Sequence, residues 1–407
     1  MADCDYFIIG GGIAAYSASK KIRRTQPQAR VVMATRDALP PYDLPPLSKE
    51  YLRGVKSEAE LLYPSAAVDG VEILTGANVV SLDAQERRIQ LDDGRTFDFS
   101  AALLATGADP IRLPVPGADL ANVFYLRTAA DGAAISRVAS AGRRAVVIGA
   151  GFIGLEIAAS LTLMGCKVTI IEAMERIWPR FGDASIAEVV HSDCAARGVR
   201  FLMSETVVEI AGSGAAQTVI TASGERVACD FVIVGIGIRP NVALARQAGL
   251  SIDNGVVVDA GMRTSAPGVF AAGDAVNYLD PIPGRRMRGE HWGHAEYSGQ
   301  LAGANMCGGD NAYDFMNYAW SDVFDLHIES AGHIEEYDEV VLRGHIEDRR
   351  FTALYLRQNV LLAYCAVNCE PVDFASYRRL IRNRQDLSGR LQELSDPDVR
   401  ARSLVQA

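Results

Sequence analysis

Gly149, Gly151, Gly154 and Glu172 sit at spacings that suit holding a diphosphate against backbone. In Gly149-x-Gly151-x-x-Gly154 the first glycine permits a tight turn and the second lets backbone approach a pyrophosphate. The third lets a helix pack close to its strand. Glu172 follows Gly154 by 18 positions, near the distance at which an acid meets a ribose 2′-hydroxyl. A carboxylate there repels a 2′-phosphate, which favours NADH over NADPH. A second, similar group stands near the start of the chain, in Gly10-x-Gly12-x-x-Ala15, where alanine is an accepted third residue. Its acid is less plain, because the next strand runs into Thr35-Arg36-Asp37; Asp37 is the choice, although Arg36 stands where an acid is expected.

These residues need elements to position them. The apolar run Ala145 to Ile148 reads as a buried strand, Phe152 to Met164 as a helix and Lys167 to Ile171 as a second strand. The first copy has the same order: a strand Tyr6 to Ile9, a helix to about Arg24 and a strand Val31 to Ala34. Alternating segments follow each copy and read as meanders. They are Asn78–Asp83, Arg87–Leu91 and Arg95–Phe99, then Thr206–Ile210, Thr218–Thr221 and Glu225–Ala228. A buried strand closes each one, Ala101–Ala105 before Thr106-Gly107 and Phe231–Val234 before Gly235-Ile236-Gly237. This is an internal repeat of a whole dinucleotide-binding unit, so two dinucleotides are expected. A later strand ends in Ala272-Gly273-Asp274, which places a carboxylate beside the first site or at a helix cap.

The chain has 407 residues, room for two or three domains, and a net charge of −10, which argues against general nucleic-acid binding. Two arginine clusters, Arg285/Arg286/Arg288 and Arg378/Arg379/Arg382/Arg384, are either solvated surface or a dock for an acidic partner. No apolar run is long enough to span a bilayer and no signal peptide opens the chain, so a cytoplasmic protein with no membrane partner is expected. The seven cysteines are expected to stay reduced, and no spacing suggests a metal site. From about Asn317, antiparallel strands precede a final helical pair, Asp373–Asn383 and Ser388–Leu394. The fold class expected is α/β, with two Rossmann-like dinucleotide-binding domains and a C-terminal α+β domain carrying an antiparallel sheet. The expected boundaries are 1–112 with 238–316 for a discontinuous domain around the first glycine turn, 113–237 for the domain of the second, and 317–407 for the C-terminal domain.

The motifs PYDLPPLSKEYL, LLATGADP, LRTAAD, GAGFIGLE, VIVGIGIRPN, GVFAAGDAV, EHWGHAEYSGQLAG and WSDVFD occur in that order from Pro41 onward. Together they resemble the FAD-dependent pyridine nucleotide reductases. Within these the sequence is most similar to the ferredoxin-reductase branch, whose relatives include putidaredoxin reductase and apoptosis-inducing factor. The resemblance implies FAD in the first site, on Gly10, Gly12, Ala15 and Asp37, with Lys49, Val79, Thr106, Arg127 and Asp274 at further FAD positions. It implies His291, Trp292 and Trp320 near the isoalloxazine, and NADH on Gly149, Gly151, Ile153, Gly154, Glu156, Glu172, Gly237 and Glu290. It also implies a catalytic ion pair, Lys49 with Glu156, beside flavin N5. Leu44 departs from the arginine often found in PYxRPPLSK, so any arginine contact to FAD is lost or supplied elsewhere.

The disulfide-reducing members of this superfamily carry a reactive cysteine after the first glycine turn. Here no cysteine lies between Cys4 and Cys166, so electrons must leave the flavin without a dithiol. The expected enzyme is an NADH-dependent flavoprotein that reduces a small iron–sulfur protein, a ferredoxin or rubredoxin, as monomer or homodimer. Two alternatives stand beside it: a reductase of diffusible acceptors (quinone, monodehydroascorbate, oxygen), and a protein like apoptosis-inducing factor with redox-controlled dimerisation.

Overall fold

The computed structural model describes residues 3–179, 183–334 and 337–405. Contacts divide the chain into two units, one of residues 1–45, 57–109 and 238–317, the other of 46–56, 110–237 and 318–407.

The first unit is built on a seven-stranded sheet. Val71–Leu74, Val31–Ala34, Cys4–Ile9, Thr96–Leu104 and Val269–Ala271 run parallel in that spatial order. Val31–Ala34 is buried at all four positions, as a strand covered on both faces must be. Thr96–Leu104 is one nine-residue strand, so the expected pair Arg95–Phe99 and Ala101–Ala105 is corrected to a single element. Its first half alternates and pairs antiparallel with Arg88–Leu91; its second half is buried and pairs with Val269–Ala271. Ser100 marks the change of partner and sits exposed where the pattern switches. The helix Ile13–Thr25 packs against Trp292–Met306 so closely that a Cβ added at Gly299 would lie 2.2 Å from the Ala14 carbonyl oxygen.

The second unit repeats the scheme with five parallel strands, Arg200–Met203, Lys167–Glu172, Arg144–Ile148, Phe231–Val234 and Val123–Phe124. A three-stranded meander, Val207–Ala211, Thr218–Thr221 and Arg226–Ala228, follows the expected segments. The same unit holds a five-stranded antiparallel sheet ordered Tyr318–Val323, Leu326–Gly332, Val360–Val367, Arg350–Arg357, Glu339–His345. One apolar cluster joins the helix Phe152–Leu163 (Leu155, Ile157) to this sheet (Val323, Phe351, Tyr355). The short segment 46–56 belongs here too and adds Leu52 to that core.

Three helices are not foreshadowed by the sequence patterns above, Ala129–Val138, Ser185–Ala196 and the short Ala243–Gln247. The segment PGRRMRG enters a hairpin, Val276–Asp280 with Arg285–Met287, where the Arg286 guanidinium donates to the Val258 and Asn277 carbonyls. Among the described residues no helix is long and apolar enough to cross a membrane.

Candidate functional site

Each unit carries one glycine turn, and the two are built alike. Gly10 (φ +126°) and Gly149 (φ +100°) occupy backbone that an L side chain rarely adopts. A Cβ would come within 2.1 Å of the Ala105 oxygen in the first turn and 2.4 Å of the Gly235 oxygen in the second. Gly12 and Gly151 stand at the N-caps of Ile13–Thr25 and Phe152–Leu163. Neither helix start has a side-chain cap or an acid in its first turn. A Cβ at either glycine meets nothing within 4 Å, so the space beside each uncapped helix start is open. That space, at the positive end of a helix dipole, fits a diphosphate. The helix Ala129–Val138 begins differently, with Thr128 accepting from the Asp131 N–H at 3.2 Å and the Asp131 carboxylate taking the Arg127 and Thr128 N–H groups.

The acids are placed differently. Glu172 accepts from the Ala150 N–H at 2.6 Å and the Met174 N–H at 2.9 Å, so it is locked onto the glycine turn. In the first unit Gly10 donates to Ala34 as Gly149 donates to Ile171, both at 2.8 Å, which makes Thr35 the register counterpart of Glu172. Asp37 lies two residues further on and accepts from the Tyr42 hydroxyl at 2.6 Å; Arg36 pairs with Asp109.

Other first-unit residues fall on the ends of its strands and helices. Val79 opens the strand Val79–Asp83 and Thr106 exchanges hydrogen bonds with Asn241. Asp274 lies in the turn Gly273–Ala275, and Glu290 pairs with Arg288. His291 precedes the helix Trp292–Met306, and the Trp292 indole donates to Asp43 at 3.0 Å. His294 is fully buried at 2.8 Å from the Tyr313 hydroxyl, and burial pushes its imidazole down to about 4.

The second unit brings together residues far apart in sequence. Lys49 Nζ lies 3.0 Å from Glu156 Oε1 and 3.5 Å from Asp322 Oδ2, with the Lys49 and Glu156 side chains 9% and 4% exposed. Glu156 also accepts from Ser48 Oγ at 2.5 Å and Ser321 Oγ at 2.8 Å; Ser160 Oγ donates to the Ser48 carbonyl. Such a buried pair persists because its remaining hydrogen-bonding sites are filled. Burial works against the Asp322 charge, but the hydrogen bond to His327 and the Lys49 ammonium hold its carboxyl below the usual value. Ser48, Ser160, Ser321, Asp322 and His327 were not singled out by sequence. The signal was available in the LSK and WSD motifs, where polar residues interrupt apolar surroundings. Ile153 is 48% exposed at the start of its helix. Gly237 (φ +116°) accepts from the Ile111 N–H, and the Trp320 ring stacks on Tyr318 at 6.0 Å.

One arginine cluster changes character. Arg378 pairs with Glu329 at 2.5 Å and lies over the Tyr318 ring at 4.5 Å, so it is a fold contact. The thiols are quiet: burial pushes Cys4 and Cys194 up to about 12 and Cys229 to about 11, and raises Cys166.

Comparison with known proteins agrees with this geometry. Residues 4–299 match the family described as pyridine nucleotide-disulphide oxidoreductase, and residues 318–405 match a reductase C-terminal family. The chain is 34% identical to the ferredoxin–NAD(+) reductase component of the anthranilate 1,2-dioxygenase system of Burkholderia cepacia, covering 98% of each. It is 32% identical to putidaredoxin reductase of Pseudomonas putida, over 100% of this chain and 98% of that one. Among solved structures, that of a covalent putidaredoxin reductase–putidaredoxin complex superposes with a TM-score of 0.93 at 30% identity, over 99% and 98% of the two chains. With two glycine turns, a buried Lys49–Glu156 pair and these matches along nearly its whole length, the chain belongs to the pyridine nucleotide-disulphide oxidoreductase family, on its ferredoxin-reductase branch.

Proposed function

We propose that this protein is an NADH-dependent flavoprotein reductase that passes electrons through FAD to a one-electron iron–sulfur carrier of the ferredoxin or rubredoxin type. One observation carries the reading. The chain holds two uncapped glycine turns fit for two dinucleotides, yet no cysteine placed or activated to relay electrons as a dithiol. When bound, NADH supplies a hydride and FAD accepts the electron pair and releases it one electron at a time.

The protein's own part is alignment and charge. Gly10, Gly12 and Ala15 leave room for the FAD diphosphate, and Asp37 takes its ribose. Val79, Thr106, Arg127 and Asp274 complete that assignment, with His291, Trp292 and Trp320 given to the isoalloxazine. Gly149, Gly151, Ile153 and Gly154 receive the NADH diphosphate, Glu172 its ribose, with Gly237 and Glu290 along the nucleotide. Glu156 and its serine donors fix the Lys49 ammonium, which would set a positive charge beside bound FAD. The domain assignment 1–112 with 238–316, 113–237 and 317–407 is part of the same reading. A cytoplasmic location fits seven cysteines that are all free thiols.

The test uses the purified protein. It should be yellow, bleach anaerobically with NADH, and reduce cytochrome c quickly only when a ferredoxin or rubredoxin is added. A colourless protein that does not take up FAD overturns the proposal. Equal turnover with small acceptors alone transfers it to the diffusible-acceptor class.

A further inference from the structure

We infer that His327 and Asp322 form a charge relay from solvent to Lys49, positioning residues that set with pH how much of the ammonium's charge is free to act. The inference rests on the role given to Lys49 above.

The relay is built from a hairpin. Tyr318–Val323 and Leu326–Gly332 pair antiparallel with Asp322 directly opposite His327. Residues facing each other this way are close enough for their side chains to meet. His327 Nδ1 lies 2.6 Å from Asp322 Oδ1, while the other oxygen of that carboxylate lies 3.5 Å from Lys49 Nζ. One carboxylate therefore faces an imidazole with one oxygen and a buried ammonium with the other. The ends differ in access: the His327 side chain is 46% exposed and that of Lys49 is 9% exposed.

Charge counting gives the direction. Lys49 contributes +1 and Glu156 and Asp322 −1 each, so the cluster carries −1 with His327 neutral and 0 with it protonated. Glu156 is held by Ser48 and Ser321 and stays on Lys49 in both states. Protonated His327 draws the Asp322 charge to itself, which leaves the ammonium a stronger cation toward a neighbouring anion. Neutral His327 returns Asp322 to Lys49 and weakens it.

The other charges facing His327 do not supply this switch. Glu329, two residues along the same strand, is occupied by Arg378 and the Tyr364 hydroxyl. Asn368, next to the strand Val360–Val367, accepts only the backbone N–H of His327. The hydrogen bond to Asp322 raises the imidazole above its ordinary value of 6.5.

The experiment has two readouts on the holoprotein. Imidazole NMR should show His327 titrating above 6.5 in the parent and lower in Asp322→Asn. Across that titration the flavin midpoint potential should fall with pH at up to about twice its slope outside it, the limit for one further proton per electron pair, and the anaerobic rate of NADH reduction should fall several-fold. In His327→Gln the break should vanish and both should follow the parent's high-pH line. His291 is also a histidine assigned to the flavin, so a break that survives in His327→Gln belongs elsewhere and overturns the relay. A His327 signal indifferent to Asp322→Asn overturns it too. If His327 titrates with Asp322 but the flavin ignores it, the relay falls and the reductase reading stands. If NADH does not bleach the parent at any pH, the reductase reading falls and takes the relay with it. FAD content and circular dichroism keep misfolded variants out of the comparison.

Discussion

The first and second units start from the same glycine turn and differ in where crowding and charge are placed. In the second, the helix passes so near its own turn that a Cβ at Gly154 would lie 2.1 Å from the Gly149 oxygen. In the first, that position is Ala15, fully buried, and the tight approach is made to a second helix. There Gly299 and Gly303 let Trp292–Met306 within 2.2 and 2.6 Å of the Ala14 and Ala18 oxygens, measured from the Cβ each glycine lacks. Charge differs as well. Glu156 stands seven places after Gly149, and Ser17 stands seven after Gly10. Both side chains are buried, but only Glu156 anchors an ammonium. A shared turn therefore fixes an uncapped helix start in both units and leaves the rest of each helix free to specialise.

The sharpest way to break this contrast is at Glu156. Glu156→Ala leaves Lys49 buried with only Asp322 at 3.5 Å, and should cost about 3–5 kcal/mol, the usual penalty for stripping a buried pair of one partner. Ser17→Ala should cost under about 1 kcal/mol, since it removes at most one neutral hydrogen bond. Thermal unfolding of the two variants measures the difference, and equal losses refute it. Next come the glycines. Gly154→Ala and Gly299→Ala each force a clash with backbone and should cost about 1–3 kcal/mol. Their binding effects should separate: Gly154→Ala weakens NADH with FAD retained, whereas Gly299→Ala lowers FAD content after purification. Ala15→Gly should cost only about 1 kcal/mol, a helix-propensity effect, and leave FAD content unchanged. Retention of FAD in that variant checks that the first turn needs no third glycine.

The smallest effect concerns acid. Side-chain and backbone hydrogen bonds from Arg144 hold the Asp230 carboxyl down at about 2, against an ordinary 3.8. Because the folded value is the lower one, its stabilisation is complete above about 3.8 and disappears as pH falls through about 2. In the first unit, the hydrogen bond from Arg88 likewise lowers Asp98, on the solvent-facing side of its meander. Asp230→Asn should flatten the acid limb of a stability–pH curve more than Asp98→Asn does, as followed by urea unfolding between pH 2 and pH 5.

Much of this was legible in the chain because it is local. The glycine turns, both meanders and the strands Val31–Ala34 and Phe231–Val234 lie where spacing and burial pattern placed them. The helix Ala129–Val138 is marked in the sequence only by its Thr128–Asp131 capping box, since its own residues show no clear apolar stripe. The long strand Thr96–Leu104 was read as two. Its alternation stops at Ser100, and only pairing to two different neighbours shows that the backbone continues. The role of Arg378 was hidden for a similar reason, since Glu329 and the Tyr318 ring are 49 and 60 positions away (378 − 329 and 378 − 318).

The two glycine turns, and the stretch without cysteine from Cys4 to Cys166, are legible in the chain because they depend on residue type and on short spacing. The tertiary structure decided which charges meet. Glu156 and Ser321 are 165 positions apart and Glu156 and Ser48 are 108 apart, so no local pattern could pair them. They come together because a buried ammonium must be neutralised and a buried carboxylate must have its lone pairs filled, and only folding brings the donors to it.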